Sequence, residues 1–139
     1  MAFWLFKSEP GTWSWEDQVA AGAGGTQWDG VRNYQARNNM DAMQVGELGF
    51  FYHSVAAKEI VGIVKVIAPA HPDSTTQDDR WRCVDLAAVE ALPRPVTLDE
   101  IKHTAGLEQM VLVNNSRLSV QPVSDQVWRA ICSLGGKTD

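Results

Sequence analysis

A chain of 139 residues, 45% hydrophobic and 21% charged, suits one compact soluble domain that buries its own core without disulfide staples. Its net charge of −5, from 12 basic and 17 acidic residues, argues against the strongly basic surface that captures duplex nucleic acid regardless of sequence, and leaves room for a local basic rim. Two distant cysteines, Cys83 and Cys132, fit a reducing compartment, and neither a membrane-length apolar run nor a basic-then-apolar leader is present, so a cytoplasmic protein without a membrane partner is expected.

Phe3 to Lys7 is aromatic and strand-sized, broken by Ser8-Glu9-Pro10-Gly11. Ser14 caps a short helix to about Ala21, with Glu16 and Asp17 at its positive end, and Gly22 to Gly25 forms a flexible turn. That turn lacks the GK[ST] ending of a phosphate-cradling loop. Tyr34, Met40 and Met43 predict a helix ended by Gly46. Leu48–Ser54 and Ile60–Ile67 are β-branched and aromatic strands joined by a polar turn near Lys58. Pro69 to Asp79 is a long polar loop, Trp81 to Leu92 a strand, and Pro93-Arg94-Pro95 a turn. Thr97 with Glu100 opens a helix to about Thr104. Val111–Val113 is too short to assign. Leu118 to Val123 is a strand, and Ser124 caps a last helix whose Val127, Ile131 and Leu134 form one stripe, stopped by Gly135-Gly136. Residues 1–136 make one domain, and Lys137-Thr138-Asp139 a frayed tail. The interleaved strands and short helices predict a mixed α+β domain around a small curled sheet.

Trp28-Asp29-Gly30-Val31-Arg32-Asn33-Tyr34-Gln35-Ala36-Arg37-Asn38 gathers an indole, a carboxylate, guanidiniums and carboxamides around one glycine-permitted turn. A nucleobase needs that mixture: a π-face to stack on and polar groups to read its edge. The same residues also fit a plain helix start, with Asp29 or Asn33 capping, Trp28 in the core and Arg37 in solvent. Six tryptophans are many for this length, and Trp is enriched where surfaces recognise something. Hydrolase chemistry has little footing. His53 and Ser54 are neighbours in a strand and point to opposite faces, there is no GxSxG elbow, and the three histidines lack metal-ligand spacing. No catalytic residue, metal or cofactor is therefore expected.

The Trp28–Asn38 stretch, together with Phe6-Lys7-Ser8-Glu9-Pro10, Phe50-Phe51-Tyr52-His53-Ser54, Val61-Gly62-Ile63, Met110-Val111-Leu112 and Arg117-Leu118-Ser119-Val120-Gln121-Pro122, resembles the EVE domain in order and over nearly the whole chain. The segment Asp73–Trp81 is shorter than in eukaryotic relatives. The resemblance implies a PUA-like fold, a small β-barrel flanked by short helices and related to the YTH domains that read methylated adenine in RNA. It also implies recognition of modified bases, chiefly modified cytosine in DNA, with an aromatic cage around the base.

On that basis the expected function is a non-catalytic reader of a modified base, with DNA favoured over RNA as partner. The alternatives are a reader of a modified ribonucleotide, or a sensor or enzyme acting on a modified nucleoside. Trp28 is the expected stacking wall, with Trp81 as a second. Asp29 and Asn33 are candidates for reading the base edge, and Lys7 and Ser8 for the rim. Strand alternation puts Tyr52 and Ser54 on one face and His53 on the other. The first two are preferred as pocket residues, with His53 a further candidate. Arg32 and Arg37 are expected on the flanking phosphates.

Overall fold

The computed structural model describes residues 1–55, 57–115 and 117–137. In chain order the elements are β1 (Phe3–Ser8), α1 (Trp15–Ala20), a 3-10 turn (Gly22–Gly24), β2 (Thr26–Gln27), α2 (Tyr34–Asp41), β3 (Leu48–His53), β4 (Glu59–Pro72), β5 (Arg82–Thr97), α3 (Leu98–Lys102), α4 (Val111–Asn114), β6 (Val120–Val123) and α5 (Asp125–Leu134). Four of the five α-helices start where a side-chain oxygen accepts a backbone N–H at the free positive end: Ser14 from Asp17, Asn33 from Ala36, Thr97 from Glu100 and Ser124 from Val127.

One mixed sheet carries all six strands in the order β2-β5-β4-β3-β1-β6. β1 runs parallel to β3, with Phe3 opposite Leu48 and Ser8 opposite His53, and the other neighbours are antiparallel. Parallel neighbours need a long crossover, and here α1, β2 and α2 supply it. Among the described residues β2 and β6 remain edges, so the class is α+β as expected but hydrogen bonds do not close the sheet into a barrel.

Strand alternation divides the core. Leu5, Phe50, Tyr52, Ile60 and Ile63 face α3, α4 and α5, where Trp128 stacks on Phe50 and Phe3 at 4.0 and 4.3 Å between ring centroids. Trp4, Phe6, Phe51, Val64, Val66, Val84 and Leu86 face the other way, against Trp28 and the Ala36–Met40 stripe of α2.

Several boundaries differ from expectation. α2 stops at Asp41 rather than near Gly46: the run Asn38-Asn39 favours the helix poorly, and the N–H of Met43 turns back to the Met40 carbonyl. β4 and β5 run further than expected because register shifts absorb the residues that cannot pair. Pro69 falls in the shift between Ala68 and His71, so the loop shrinks to Asp73–Trp81. Leu92–Pro95 bulge out between the Ala91–Gly62 and Val96–Ile60 pairs, so the prolines interrupt the ladder without turning the chain. The Arg94 N–H there goes to the Gly135 carbonyl. Val111–Asn114 is helical, and the last strand begins at Val120 rather than Leu118. Lys137 Nζ lies 3.0 Å from Glu90 Oε1, and the rest of the expected tail, Thr138 and Asp139, lies outside the described residues.

Candidate functional site

A cavity of about 610 Å³ opens where β1 ends, within the size range of small-ligand sites. Its lining comes from three separated segments: Lys7 to Trp13 around the end of β1, β2 with the Trp28–Arg32 turn that continues it, and Ser119. Each is fixed by its own hydrogen bonds. The Lys7 N–H donates to the Ser119 carbonyl at 2.9 Å, and the Ser8 hydroxyl donates to the Trp13 carbonyl, folding the loop back over the strand end. The Trp13 indole N–H donates to Oε1 of the fully buried Gln18 at 3.0 Å, and Gln18 Nε2 donates to the Leu86 carbonyl at 3.0 Å. A polar chain through the core thus holds the Trp13 ring.

Trp28 forms the inner wall and is only 8% exposed. Its indole packs on Phe6 and Phe51, at 5.5 and 5.7 Å between centroids, and the Trp28 backbone N–H donates to the Val84 carbonyl at 2.8 Å. Core and site therefore share one ring. On the wetter side, Gln27 Nε2 donates to Asp29 Oδ2 at 3.1 Å, which orients a carboxylate that retains free acceptor capacity. Burial lowers the pKa of Lys7 by disfavouring its charged form.

The Trp28–Arg32 turn hangs on Asp73, which is 2% exposed. Gly30 takes φ of 80°, a conformation that favours glycine, and its N–H donates to Asp73 Oδ2 at 2.9 Å. Arg32 adds a bond at 3.1 Å, and Thr75 donates from its N–H and its hydroxyl at 2.8 and 2.5 Å. Burial pushes the Asp73 carboxyl up, but these donors outweigh it and hold the pKa at about 2. A folded-state pKa below the unfolded value contributes stability above about pH 4, lost as pH falls through 2. Asp73→Asn is therefore expected to destabilise the protein by about 2 kcal/mol at pH 7, a difference that closes towards pH 2 in urea denaturation.

The residues expected at the site separate into two groups. Lys7, Ser8, Trp28, Asp29 and Arg32 line the cavity together. Asn33 does not; its side chain caps α2. Tyr52 is 3% exposed and sits in the core under α3 and α5, because its face of β3 is the one those helices cover. His53 faces the other way, but its Nε2 accepts the Trp15 N–H at 3.0 Å. Ser54 lies just beyond β3, its N–H on the Ser8 carbonyl at 2.9 Å. Trp81 stacks on Tyr34 outside the cavity, and Arg37 lies over the Tyr34 ring at 5.0 Å. Sequence reasoning missed Trp13, Thr12, Gln27 and Ser119. Only Trp13 carried a signal, an indole placed a few residues past a strand end. Among the described residues, no group of three or more His, Cys, Asp or Glu side chains is placed to hold a metal ion.

The EVE domain model matches residues 2–134. Thymocyte nuclear protein 1 of Homo sapiens is 37% identical over an alignment of 166 positions that covers 96% of this chain and 74% of that protein. Among solved structures, a protein from Agrobacterium tumefaciens is 53% identical with a TM-score of 0.96, covering 98% of this chain and 94% of the other. Human THYN1 protein, in complex with 5-methylcytosine containing DNA, is 36% identical with a TM-score of 0.91, and both chains are covered in full. The YTH domain of Zygosaccharomyces rouxii MRB1 protein, at 17% identity and a TM-score of 0.58, shares the fold alone.

Proposed function

This chain belongs to the EVE domain family, and from that membership we propose that it is a non-catalytic reader that takes an extruded modified base, cytosine-derived and in DNA, into the cavity at the end of β1. The observation that carries this reading is the cavity itself. It sets the Trp28 indole beside the Gln27–Asp29 pair, in a chain that aligns in full with a human protein solved with 5-methylcytosine containing DNA. Extruding a base costs a few kcal/mol, and stacking returns about 1–3 kcal/mol per base, so edge contacts decide whether binding is net favourable. The Asp29 carboxylate only accepts, which suits the exocyclic amine of cytosine and repels the O4 of thymine. Lys7 is the rim donor, since the Ser8 hydroxyl already donates to the Trp13 carbonyl, and Arg32 and Arg37 would contact flanking phosphates, which position the strand without reading sequence.

Thymine shares the 5-methyl group of 5-methylcytosine, so comparing the two isolates the amine. In tryptophan fluorescence titrations with matched oligonucleotides, a preference for 5-methylcytosine over both cytosine and thymine is expected. Asn donates as well as accepts, so Asp29→Asn should narrow the preference over thymine by about tenfold and leave the preference over cytosine in place. No preference for the modified base, or tighter binding of the ribo-oligonucleotide, would overturn the DNA reading.

A further inference from the structure

We propose that the Tyr34–Trp81 pair beside the cavity is a stacking shelf for the base next to the one taken in, a contact that only a nucleic-acid strand makes and that rests on the base-reading proposed above. Tyr34 opens α2 but takes no part in its buried face, which Ala36 and Met40 supply. Tyr34 is 50% exposed, and its ring stacks on Trp81 at 5.0 Å between centroids, with 23° between the planes. Guanidiniums surround the pair. Arg37 lies over Tyr34 at 5.0 Å, Arg32 over Trp81 at 5.5 Å, and Arg80 donates to the Tyr34 hydroxyl at 3.2 Å.

Fastening the Asp73–Trp81 loop to α2 would need one contact. Two stacked rings carrying three arginines resemble instead the sites that hold single strands, where bases stack on aromatics and cations follow the backbone. Two of the arginines are paired, Arg32 with Asp73 and Arg80 with Asp78. Arg37 hydrogen-bonds only neutral groups among the described residues, the Asn38 side chain and the Arg80 carbonyl, so no carboxylate cancels the charge it would offer a phosphate. Position supplies the second argument. Arg32 both lines the cavity and covers Trp81, so the shelf adjoins the opening. Arg37 covers the face of Tyr34 that Trp81 leaves open, so the base takes that place as the guanidinium swings onto the flanking phosphate. Every base has a π-face, so the shelf adds affinity without adding sequence preference.

The test compares three probes by fluorescence titration: 5-methyl-2′-deoxycytidine, a trinucleotide with 5-methylcytosine at its centre, and the same trinucleotide with abasic sites on both flanks, which keeps the phosphates and removes the neighbouring bases. The intact trinucleotide is expected to bind about tenfold tighter than the abasic one. Tyr34→Ala should erase that difference and leave the nucleoside affinity unchanged, and Trp81→Leu should reproduce the result should circular dichroism show Tyr34→Ala to be unfolded. Equal binding of the two trinucleotides by the unmodified protein, or a difference that survives in the folded variants, overturns the shelf while the base-reading stands. If none of the three probes binds the unmodified protein, the base-reading fails and the shelf with it.

Discussion

Trp28→Ala is expected to lower the free energy of unfolding by about 3–5 kcal/mol, a large share of the 5–15 kcal/mol that holds a domain of this size together. The indole is nearly buried and sits against Phe6 and Phe51 in the core on the α2 side of the sheet. Truncation opens a void that these two rings, held in strands β1 and β3, cannot collapse into. Loss of binding in this variant would therefore report unfolding as readily as a missing stacking wall. Trp28→Phe separates the two. It keeps an aromatic face and most of the packing, so a smaller loss of stability, about 1–2 kcal/mol, should accompany a measurable weakening of base binding. Urea denaturation followed by far-ultraviolet circular dichroism checks both variants, since their tryptophan fluorescence is itself altered. A stable, folded Trp28→Ala would show that the ring belongs to the cavity and contributes little to the core.

The local features were legible in the sequence and the assembled ones were not. Ser14, Thr97 and Ser124 cap helices as expected because capping is settled within four residues. β1 and β3 were legible from their aromatic runs. The alternation that sets Tyr52 apart from Phe51 and His53 was also legible, since it follows from strand geometry alone. Which face holds the cavity was not, because that depends on the helices α3, α4 and α5 packing over Tyr52 from later in the chain. The two-residue β2 is too short to leave a pattern, and it exists only because β5 offers it a partner at Leu86 and Asp85. The site was half visible for the same reason. The Trp28–Arg32 turn is contiguous in sequence, whereas Trp13 and Ser119 reach the cavity only through hydrogen bonds made across the fold.

Gly25→Ala should show how closely stability and site are joined, with an expected loss of about 3 kcal/mol and with base binding lost as well. Gly25 has φ 66° and ψ −160°, a region almost confined to glycine, where another residue costs about 1–3 kcal/mol in strain. A Cβ there would lie 2.3 Å from the Leu86 carbonyl oxygen and 2.7 Å from Ile67 Cδ1. The Ile67 methyl is the end of a flexible side chain and can move. The carbonyl cannot move without cost, because it belongs to β5 beside β2 and accepts the Gln18 side chain at 3.0 Å. Relief therefore comes from pushing β2 away from β5, which carries Gln27 and the neighbouring Trp28 with it. The same displacement strains Gln18, whose Oε1 holds the Trp13 indole. One methyl group thus disturbs both tryptophans that line the cavity. Gly24→Ala is the control, since its Cβ would meet nothing within 4 Å, and its stability should stay within about 0.5 kcal/mol of the unmodified protein. Urea midpoints and oligonucleotide titrations on both variants measure the effect. Should Gly25→Ala lose stability yet keep full affinity, the base would be held by the β1 end and the 28–32 turn without help from the β2 edge.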